Sequence, residues 1–150
     1  MLPKTNGTWT GEEGNSKWVP DPEYVPQEKS RNPEKPYSNP DNITLQDILR
    51  KYGLDGIDFI DGEPDFSKLS KGDVEISDFS DDRNENFYQA DEKLAEQKGC
   101  SPEDVEKWRK ENNYTWHECA DCKTMQKVPN EVHANIPHSG GISVIKKINE

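Results

Sequence analysis

One stretch near the C-terminus constrains the fold of this chain more than any other. The segments YTWHE and TMQKV are strand-like, CADCK between them is a turn, and PNEVHANI opens with a proline that suits a first helical turn. All three histidines fall inside this stretch, at the end of the first strand, in the helix and just after it. We therefore predict an α+β fold containing a ββα unit whose strand and helix each present an imidazole.

The first two histidines have the placement that a metal site needs. His117 and Glu118 lie at the predicted end of the first strand, and His133 lies in the middle of the predicted helix. Neutral imidazole and carboxylate are suitable ligands for a divalent ion. Such an ion can stabilise the charge of a phosphate undergoing hydrolysis while a nearby base activates water. The pattern predicts a metal-dependent endonuclease that hydrolyses phosphodiester bonds.

His138 needs a break in the helix before it can join His133. Five residues of ideal helix rotate a side chain by about 140°, so the two imidazoles would lie on different faces. Pro137 disfavours helical geometry at the residue before it and is expected to end the helix there. His138 would then lie on a turn that folds back towards the ion or a phosphate. The backbone N–H groups of Ser139 and Gly140 would help to bind that phosphate.

The remaining segments are predicted to support this unit. Residues 1–42 hold most of the prolines and little apolar periodicity, so they are predicted to be an extended lead-in or linker, ordered only where an aromatic ring finds a packing partner. Residues 43–112 form a helical and turn-rich supporting segment with extended pieces near 57–60 and 74–76, and residues 113–150 form the nuclease core. The helix signals are Thr44 before and Gly53 after the first helix, Gly99 after the second, and Ser101 with Pro102 before the third.

Charge and composition restrict the partners. The formal net charge is −11, but the acidic excess lies in residues 1–106, whereas residues 107–150 hold slightly more Lys and Arg than Asp and Glu. The charge therefore permits a nucleic acid at the C-terminal end and discourages one elsewhere. The three cysteines do not form the framework of a disulfide-rich secreted domain. We expect no membrane contact and no signal peptide, because no apolar run has the required length.

The pattern YTWHE…D.KTMQKVP…H….HSGG resembles the WHH-type toxins of the HNH/endonuclease VII superfamily. The similarity covers about residues 53–145. It implies a ββα-metal core of the HNH or treble-clef-like kind in a nuclease that acts more often on DNA than on RNA. It also implies a bacterial polymorphic toxin domain that is fused to a larger delivery protein, acts in the cytoplasm of a target bacterium and is inhibited by a cognate immunity protein.

The resemblance assigns roles to individual residues. His117 matches the ligand at the strand end, and His133 matches the ligand on the helix. His138 matches the trailing histidine, as a further ligand or a phosphate contact. Trp116 matches the residue that packs behind the site. The metal would be a divalent ion, with Mg, Mn, Ni and Zn all open.

Glu118 departs from the family pattern, which has a second histidine at the presumed general-base position. Three interpretations stay open at this point. Glu118 acts as the base; or Glu118 binds the metal and His117 is the base; or the substitution marks a decayed nuclease that persists as an interaction domain. Adjacent residues of a strand point to opposite sides, so His117 and Glu118 need not both face the ion.

A rival interpretation uses the cysteines. The spacing Cys119-x2-Cys122-x10-His133-x4-His138 is close to that of a zinc finger and would make the chain a zinc-stabilised module that binds nucleic acid. The gap between the second cysteine and the first histidine is short for that motif, and Pro137 interrupts the helix that should carry both histidines. Chelation separates the two interpretations, because a structural zinc module unfolds without its metal whereas an enzyme loses activity and keeps its fold.

Overall fold

Two small antiparallel sheets and five helices make up the described part of the chain, which in the computed structural model comprises residues 1–29 and 37–150. This mixture of helices and antiparallel sheets confirms the predicted α+β class. Within the same residues, no helix combines the length and the apolar character needed to cross a membrane.

The first sheet is built from both N-terminal and central residues. It contains β1 (Gly7–Trp9), β2 (Lys17–Pro20), β3 (Ile57–Ile60) and β4 (Glu63–Pro64), in that spatial order. All three pairings are antiparallel. The sheet therefore joins the beginning of the chain to a segment between the first and second helices.

The prediction of an extended lead-in is corrected by β1 and β2. Trp18 on β2 pairs with Ile57 and is only 2% exposed in the larger apolar cluster. The ring of Trp9 packs edge-on against Phe59 at 4.9 Å, and Tyr24 is partly buried against the same cluster. The aromatic rings that were expected to order this segment only locally thus bring it into the core. Residues 30–36 of the predicted lead-in lie outside the described residues.

The second sheet carries the hairpin predicted from the sequence. It contains β5 (Asp73–Glu75), β6 (Tyr114–Glu118) and β7 (Thr124–Pro129), with β7 in the centre. In the β6–β7 register, Trp116 lies opposite Lys127 and His117 opposite Gln126. Directly opposed residues project to the same face of a sheet. Trp116 and Lys127 therefore lie on one face, and His117 and Gln126 lie on the other.

The three upstream helices follow their predicted signals. They are α1 (Leu45–Arg50), α2 (Arg83–Lys98) and α3 (Pro102–Glu111). The Thr44 side chain caps α1, left-handed Gly99 ends α2, and Ser101 forms a capping box with Asp104 at the start of α3. Side-chain caps of this kind satisfy backbone N–H groups that have no partner within the helix.

The C-terminal helices differ from the prediction. Helix α4 (Asn130–His133) is a single turn, so His133 is its last residue and does not lie in the middle of a longer helix. The helix ends well before Pro137, and the proline is therefore not what ends it. A further helix, α5 (Gly141–Ile148), follows the histidines and was not predicted.

Two apolar clusters lie on the two faces of the hairpin. The larger cluster includes Val128, Val132 and Ile136 together with α1 and the first sheet. The smaller cluster includes Trp116 and Met125 together with α2, α3 and β5. Because strand residues alternate between faces, β6 directs Trp116 towards the smaller cluster and His117 towards the larger one.

A buried ion pair holds α2, α3 and β6 together behind Trp116. The Arg109 guanidinium donates to both carboxylate oxygens of Asp91, at 2.9 and 2.7 Å, and both side chains are less than a tenth exposed. The Trp116 indole N–H donates to Asp91 Oδ1 at 2.8 Å. Trp116 is thus both packed in the smaller apolar cluster and hydrogen-bonded.

Substituting Asp91→Ala should lower the free energy of unfolding by about 3–5 kcal/mol, because it leaves a buried guanidinium and a buried indole N–H without their acceptor. Urea denaturation measures this change. Glu96→Ala, on the exposed side of the same helix, is the matched control and should leave the stability nearly unchanged. A variant at Asp91 as stable as the parent would show that the network has no structural importance.

Candidate metal centre

Three imidazole rings converge at the end of the hairpin. The Nδ1 atom of His117 lies 3.2 Å from Nε2 of His133, and Nε2 of His138 lies 3.3 Å from the same atom. The three ligand atoms lie within 4.8 Å of one another. The structure therefore brings together all three histidines that the sequence singled out.

Each imidazole comes from a different local element. His117 is the fourth residue of β6 and is 1% exposed. His133 closes α4, and His138 follows in the loop that leads to α5. The shortness of α4 allows the chain to turn back, and the Asn135 amide fixes this turn by donating to the carbonyls of Ser38 and Glu131, each at 2.7 Å.

The loop also sets the tautomer of His138. Its Nδ1 atom lies within hydrogen-bond distance of the Ile136 carbonyl oxygen, which can only accept. Nδ1 therefore carries the proton, and Nε2 presents its lone pair towards His133. A backbone carbonyl that binds the outer nitrogen of a histidine in this way is typical of metal ligands.

A phenylalanine forms the floor of the cluster. Phe66 is fully buried and contacts all three imidazoles, with centroid distances of 4.9 Å to His117, 5.7 Å to His133 and 5.6 Å to His138. The rings of His117 and His138 are close to perpendicular to it. Phe66 thus excludes water from one side of the cluster and limits ring rotation.

Burial keeps two of the imidazoles neutral. Desolvation is the main cause that lowers the pKa of His133 well below its usual value, with a further contribution from the neighbouring histidines. Desolvation likewise lowers the pKa of His138 to about 4, although the bond to the Ile136 carbonyl opposes the change. Neutral imidazole is the form that binds metal ions.

The two nitrogen–nitrogen distances to His133 fit a metal ion. Ligands that bind a Zn²⁺-sized ion through nitrogen at about 2.0–2.1 Å lie about 3.0–3.4 Å from one another. The two close nitrogen pairs, at 3.2 and 3.3 Å, fall in that range. Three protein ligands would leave coordination positions open for substrate or water, which distinguishes catalytic sites from closed structural ones.

A carboxylate that the sequence did not indicate lies behind His117. Glu63 Oε1 is 3.8 Å from Nε2 of His117, and this nitrogen is buried without a hydrogen-bond partner in the described residues. The same oxygen accepts a bond from the Ala120 N–H at 3.0 Å. His117 and this backbone bond lower the pKa of Glu63, although burial opposes them. An ionised carboxylate therefore faces the outer nitrogen of His117.

Glu118 lies on the opposite face of β6 from His117. It is 7% exposed, and its carboxylate accepts bonds from Arg83 Nε at 2.9 Å and Asn86 Nδ2 at 2.8 Å. No potential metal-ligand group in residues 1–29 and 37–150 includes Glu118. The two donors lie on α2, more than thirty residues before Glu118, and nothing near them in the sequence marks them as its partners.

A cavity of about 150 Å³ connects these groups. Its lining residues are the three histidines, Glu118, Arg83 and residues 139–143. The side chains of Glu118 and His117 leave β6 on opposite faces, but both residues line this cavity because it lies at the end of the strand.

Comparison with known families gives an independent result. A family model described as the DNase/tRNase domain of colicin-like bacteriocin matches residues 57–140, which is more than half of the chain and includes all three histidines. The chain belongs to this family. As a colicin-like nuclease domain it is a nuclease toxin domain, which confirms the predicted class at that level. Among curated proteins, no significant match to the chain is found.

Glycines 140 and 141 let the colicin-like domain close around its histidines. A Cβ atom on Gly140 would lie 2.5 Å from the Glu118 carbonyl oxygen, and one on Gly141 would lie 2.5 Å from the Cys119 carbonyl oxygen. Both distances are shorter than side chains tolerate. The Gly-Gly pair is thus required because the start of α5 lies directly against the end of β6.

The cysteines of the colicin-like domain do not form the group that their spacing suggested. Cys119 Sγ clusters with Glu63 and His117, and no group in the described part of the chain unites it with Cys122, His133 and His138. All cysteines are free thiols, and burial raises the pKa of Cys119 to about 12. The zinc-finger interpretation therefore has no geometric support.

Proposed function

We propose that this domain is a metal-dependent endonuclease with a ββα-metal core formed by β6, β7, α4 and the following loop. The convergence of three imidazole nitrogens at 3.2 and 3.3 Å is the observation that carries the proposal. His117, His133 and His138 would hold one divalent ion. When bound, such an ion supplies positive charge that stabilises the phosphate in the transition state and the leaving oxygen.

Glu118 is proposed as the general base, oriented by Arg83 and Asn86. Each carboxylate oxygen has more than one lone pair, so the two bonds from α2 still leave capacity to accept a proton from water in the cavity. Arg83 uses Nε for this bond and its side chain is 63% exposed. The rest of its guanidinium can therefore bind a phosphate oxygen of the substrate.

The loop after His138 is proposed as a phosphate contact. Ser139 and Gly140 line the cavity, and no side chain in the described part of the chain caps the N–H groups at the start of α5. Uncapped N–H groups at a helix start favour bound anions. The phosphate next to the scissile bond would lie between this turn and Arg83.

Several finer features of the proposal come from the sequence. The WHH-type subtype, with His-Glu in place of His-His, is proposed together with DNA as the favoured substrate. We also propose, from the resemblance to WHH-type toxins, that the domain is delivered as part of a larger protein into the cytoplasm of a target bacterium. The same resemblance suggests that an immunity protein inhibits it. An acidic inhibitor surface would suit the mildly basic residues 107–150.

The test is a cleavage assay with supercoiled plasmid DNA and a structured RNA. Each is incubated with the protein and Mg²⁺, Mn²⁺, Ni²⁺ or Zn²⁺, with and without EDTA. Cleavage of at least one substrate in a metal-dependent manner is expected, and EDTA should stop it while the circular dichroism spectrum stays that of a folded protein. Absence of cleavage under every metal would overturn the enzymatic proposal.

Glu63→Gln should weaken metal binding by roughly 10- to 100-fold, the usual effect of removing a carboxylate behind a ligating histidine. The neutral amide cannot favour positive charge on the coordinated imidazole as the carboxylate does. Competition with a chromogenic chelator measures the affinity. Glu75→Gln on an exposed position of β5 is the matched control and should bind metal like the parent. Equal affinities in both variants would contradict a role for Glu63.

A further inference from the structure

A second pocket, of about 350 Å³, lies on the face of the hairpin away from the histidines. Three lysines from separate segments line it, namely Lys71, Lys98 and Lys127. The rest of the lining consists of Cys100 and of Asp104, Val105 and Trp108 on α3. Lys127 pairs with Trp116 across β6 and β7, so its side chain leaves the sheet on the Trp116 face. The pocket is thus separate from the cavity that contains His117.

Lys127 is a mostly buried lysine that has no anionic partner among the described residues. It is only 5% exposed, and its Nζ lies 4.1 Å from the centroid of the Trp108 ring. Among residues 1–29 and 37–150, no carboxylate forms an ion pair with it and no acceptor forms a hydrogen bond with its ammonium group. The Nζ atom is not among the fully buried atoms that lack a partner, so an anion in the pocket can reach it. An unpaired ammonium group that has lost part of its water is less stable than one beside an anion, and the cation–π contact with Trp108 offsets only part of that loss.

Two further lysines lie around the same pocket and add to its positive charge. Lys71 Nζ lies 5.8 Å from the centroids of both Trp108 and Tyr114, and Lys98 lines the same pocket. Burial is the main cause that lowers the pKa of Lys127, and these two lysines lower it further.

The acidic groups nearby are already engaged. Asp104 is the one acidic residue in the lining, and its carboxylate accepts the Ser101 N–H in the capping box of α3. Asp91 binds Arg109 with both oxygens. The lysines around the pocket therefore present positive charge that these carboxylates do not fully compensate.

We infer that this pocket binds a phosphate group of a nucleic-acid strand, away from the bond that is cleaved. The inference rests on the proposed function, because phosphates outside the reacting one position a nucleic acid on a protein without reading its sequence. Lysine ammonium groups suit phosphate as point charges. A strand fits better than a free phosphate, because Lys71 and Lys98 extend the positive surface beyond the buried Lys127.

Lys127→Met separates this binding role from a structural one. Methionine preserves much of the apolar stem while removing the unpaired charge, so the melting temperature should stay equal or rise. Binding should nevertheless weaken. A lysine that served only the fold would show the reverse, with lower stability and unchanged binding.

Fluorescence anisotropy of a labelled DNA duplex in EDTA measures binding without cleavage. Lys127→Met and Lys71→Gln should each weaken binding several-fold at fixed salt and reduce the slope of log K against log salt by about 1. Lys93→Gln, which removes a charge from the exposed face of α2, is the matched control and should bind like the parent. Parent-like affinity and salt slope in both pocket variants would overturn the inference.

Competitors identify the source of the phosphate. Inorganic phosphate and a mononucleotide should displace the labelled duplex only weakly, and a polyglutamate of similar length should not displace it in a manner that depends on Lys127. A mononucleotide that binds the parent as tightly as the duplex, with that binding lost in Lys127→Met, would overturn the assignment to a strand. Polyglutamate binding that depends on Lys127 would assign the pocket to an acidic protein and overturn it as well.

Cleavage assays distinguish failure of this inference from failure of the proposed function. With metal present, the pocket variants should raise KM for the duplex and leave kcat unchanged. A parent that cleaves nothing but shows the expected anisotropy pattern would refute the nuclease proposal and support the pocket. A parent that cleaves while both variants match its affinity and KM would support the nuclease proposal and refute the pocket.

Discussion

Replacing His133 by alanine is expected to abolish metal-dependent cleavage while leaving the domain folded. Nε2 of His133 is the atom that both other histidines approach, at 3.2 and 3.3 Å, so its removal leaves two ligand nitrogens without their common neighbour. The charge stabilisation that a bound ion supplies is worth several kcal/mol, and losing it should slow cleavage by about 10⁴-fold or more. Val132 and Ile136 should hold α4 in the core.

The measurement is cleavage of plasmid DNA by the variant under each of the four metals, together with metal affinity and thermal melting. Gln126→Ala is a suitable control, because Gln126 lies opposite His117 in the β6–β7 register but belongs to no group of potential ligands in the described residues. It should retain most of the activity. Near-full cleavage by the His133 variant, with unchanged metal affinity, would show that the ion is held elsewhere.

The hairpin and its histidines were predictable because their signals are local. Alternation in YTWHE and TMQKV predicts two strands, and the turn between them is closed by Asp121, which accepts bonds from the N–H groups of Lys123 and Thr124. The caps of α1, α2 and α3 are likewise set by residues within one turn of each helix end. Where neighbouring residues determine the structure, the sequence is sufficient.

The N-terminal sheet was not predictable because its stability comes from distant contacts. Strands β1 and β2 are short and lie in a proline-rich segment, and β2 is held by β3, about forty residues further along the chain. Strand preference depends strongly on such partners. The burial of Trp18 among side chains of α1 and β3 is therefore a property of the assembled core.

The shell around the histidines was missed for the same reason. Phe66 and Glu63 reach the site from a segment about fifty residues before β6, and nothing near them in the sequence marks them as neighbours of His117. Helix α4 was predicted too long because Pro137 was expected to end it. In the structure Val132 and Ile136 enter the same apolar cluster, but the chain leaves the helix between them.

The structure disfavours one of the three interpretations of Glu118, the one in which it binds the metal. Its position on the face opposite His117, and its absence from the potential metal-ligand groups of the described residues, disfavour a ligand role. The bonds from Arg83 and Asn86 fix the orientation of its carboxylate, as a positioned base requires, and Glu118 is one of the residues that line the cavity. The same two bonds would also suit a carboxylate kept only for structure in a decayed nuclease.

Glu118→Gln is expected to reduce turnover by roughly 10²–10⁴-fold with metal affinity nearly unchanged, because the amide keeps the shape of the side chain but cannot accept the proton from water. Glu118→His introduces the histidine that WHH-type toxins have at this position, and it should preserve or raise activity. If Glu118 were a ligand, the glutamine variant would bind metal more weakly and added cation would rescue its rate. If the domain were decayed, the parent would be inactive and Glu118→His would create activity. Metal titrations of the cleavage rate of the parent, Glu118→Gln and Glu118→His separate these cases, with Glu75→Gln as the control. An active parent whose rate equals that of both Glu118 variants would exclude Glu118 from the chemistry.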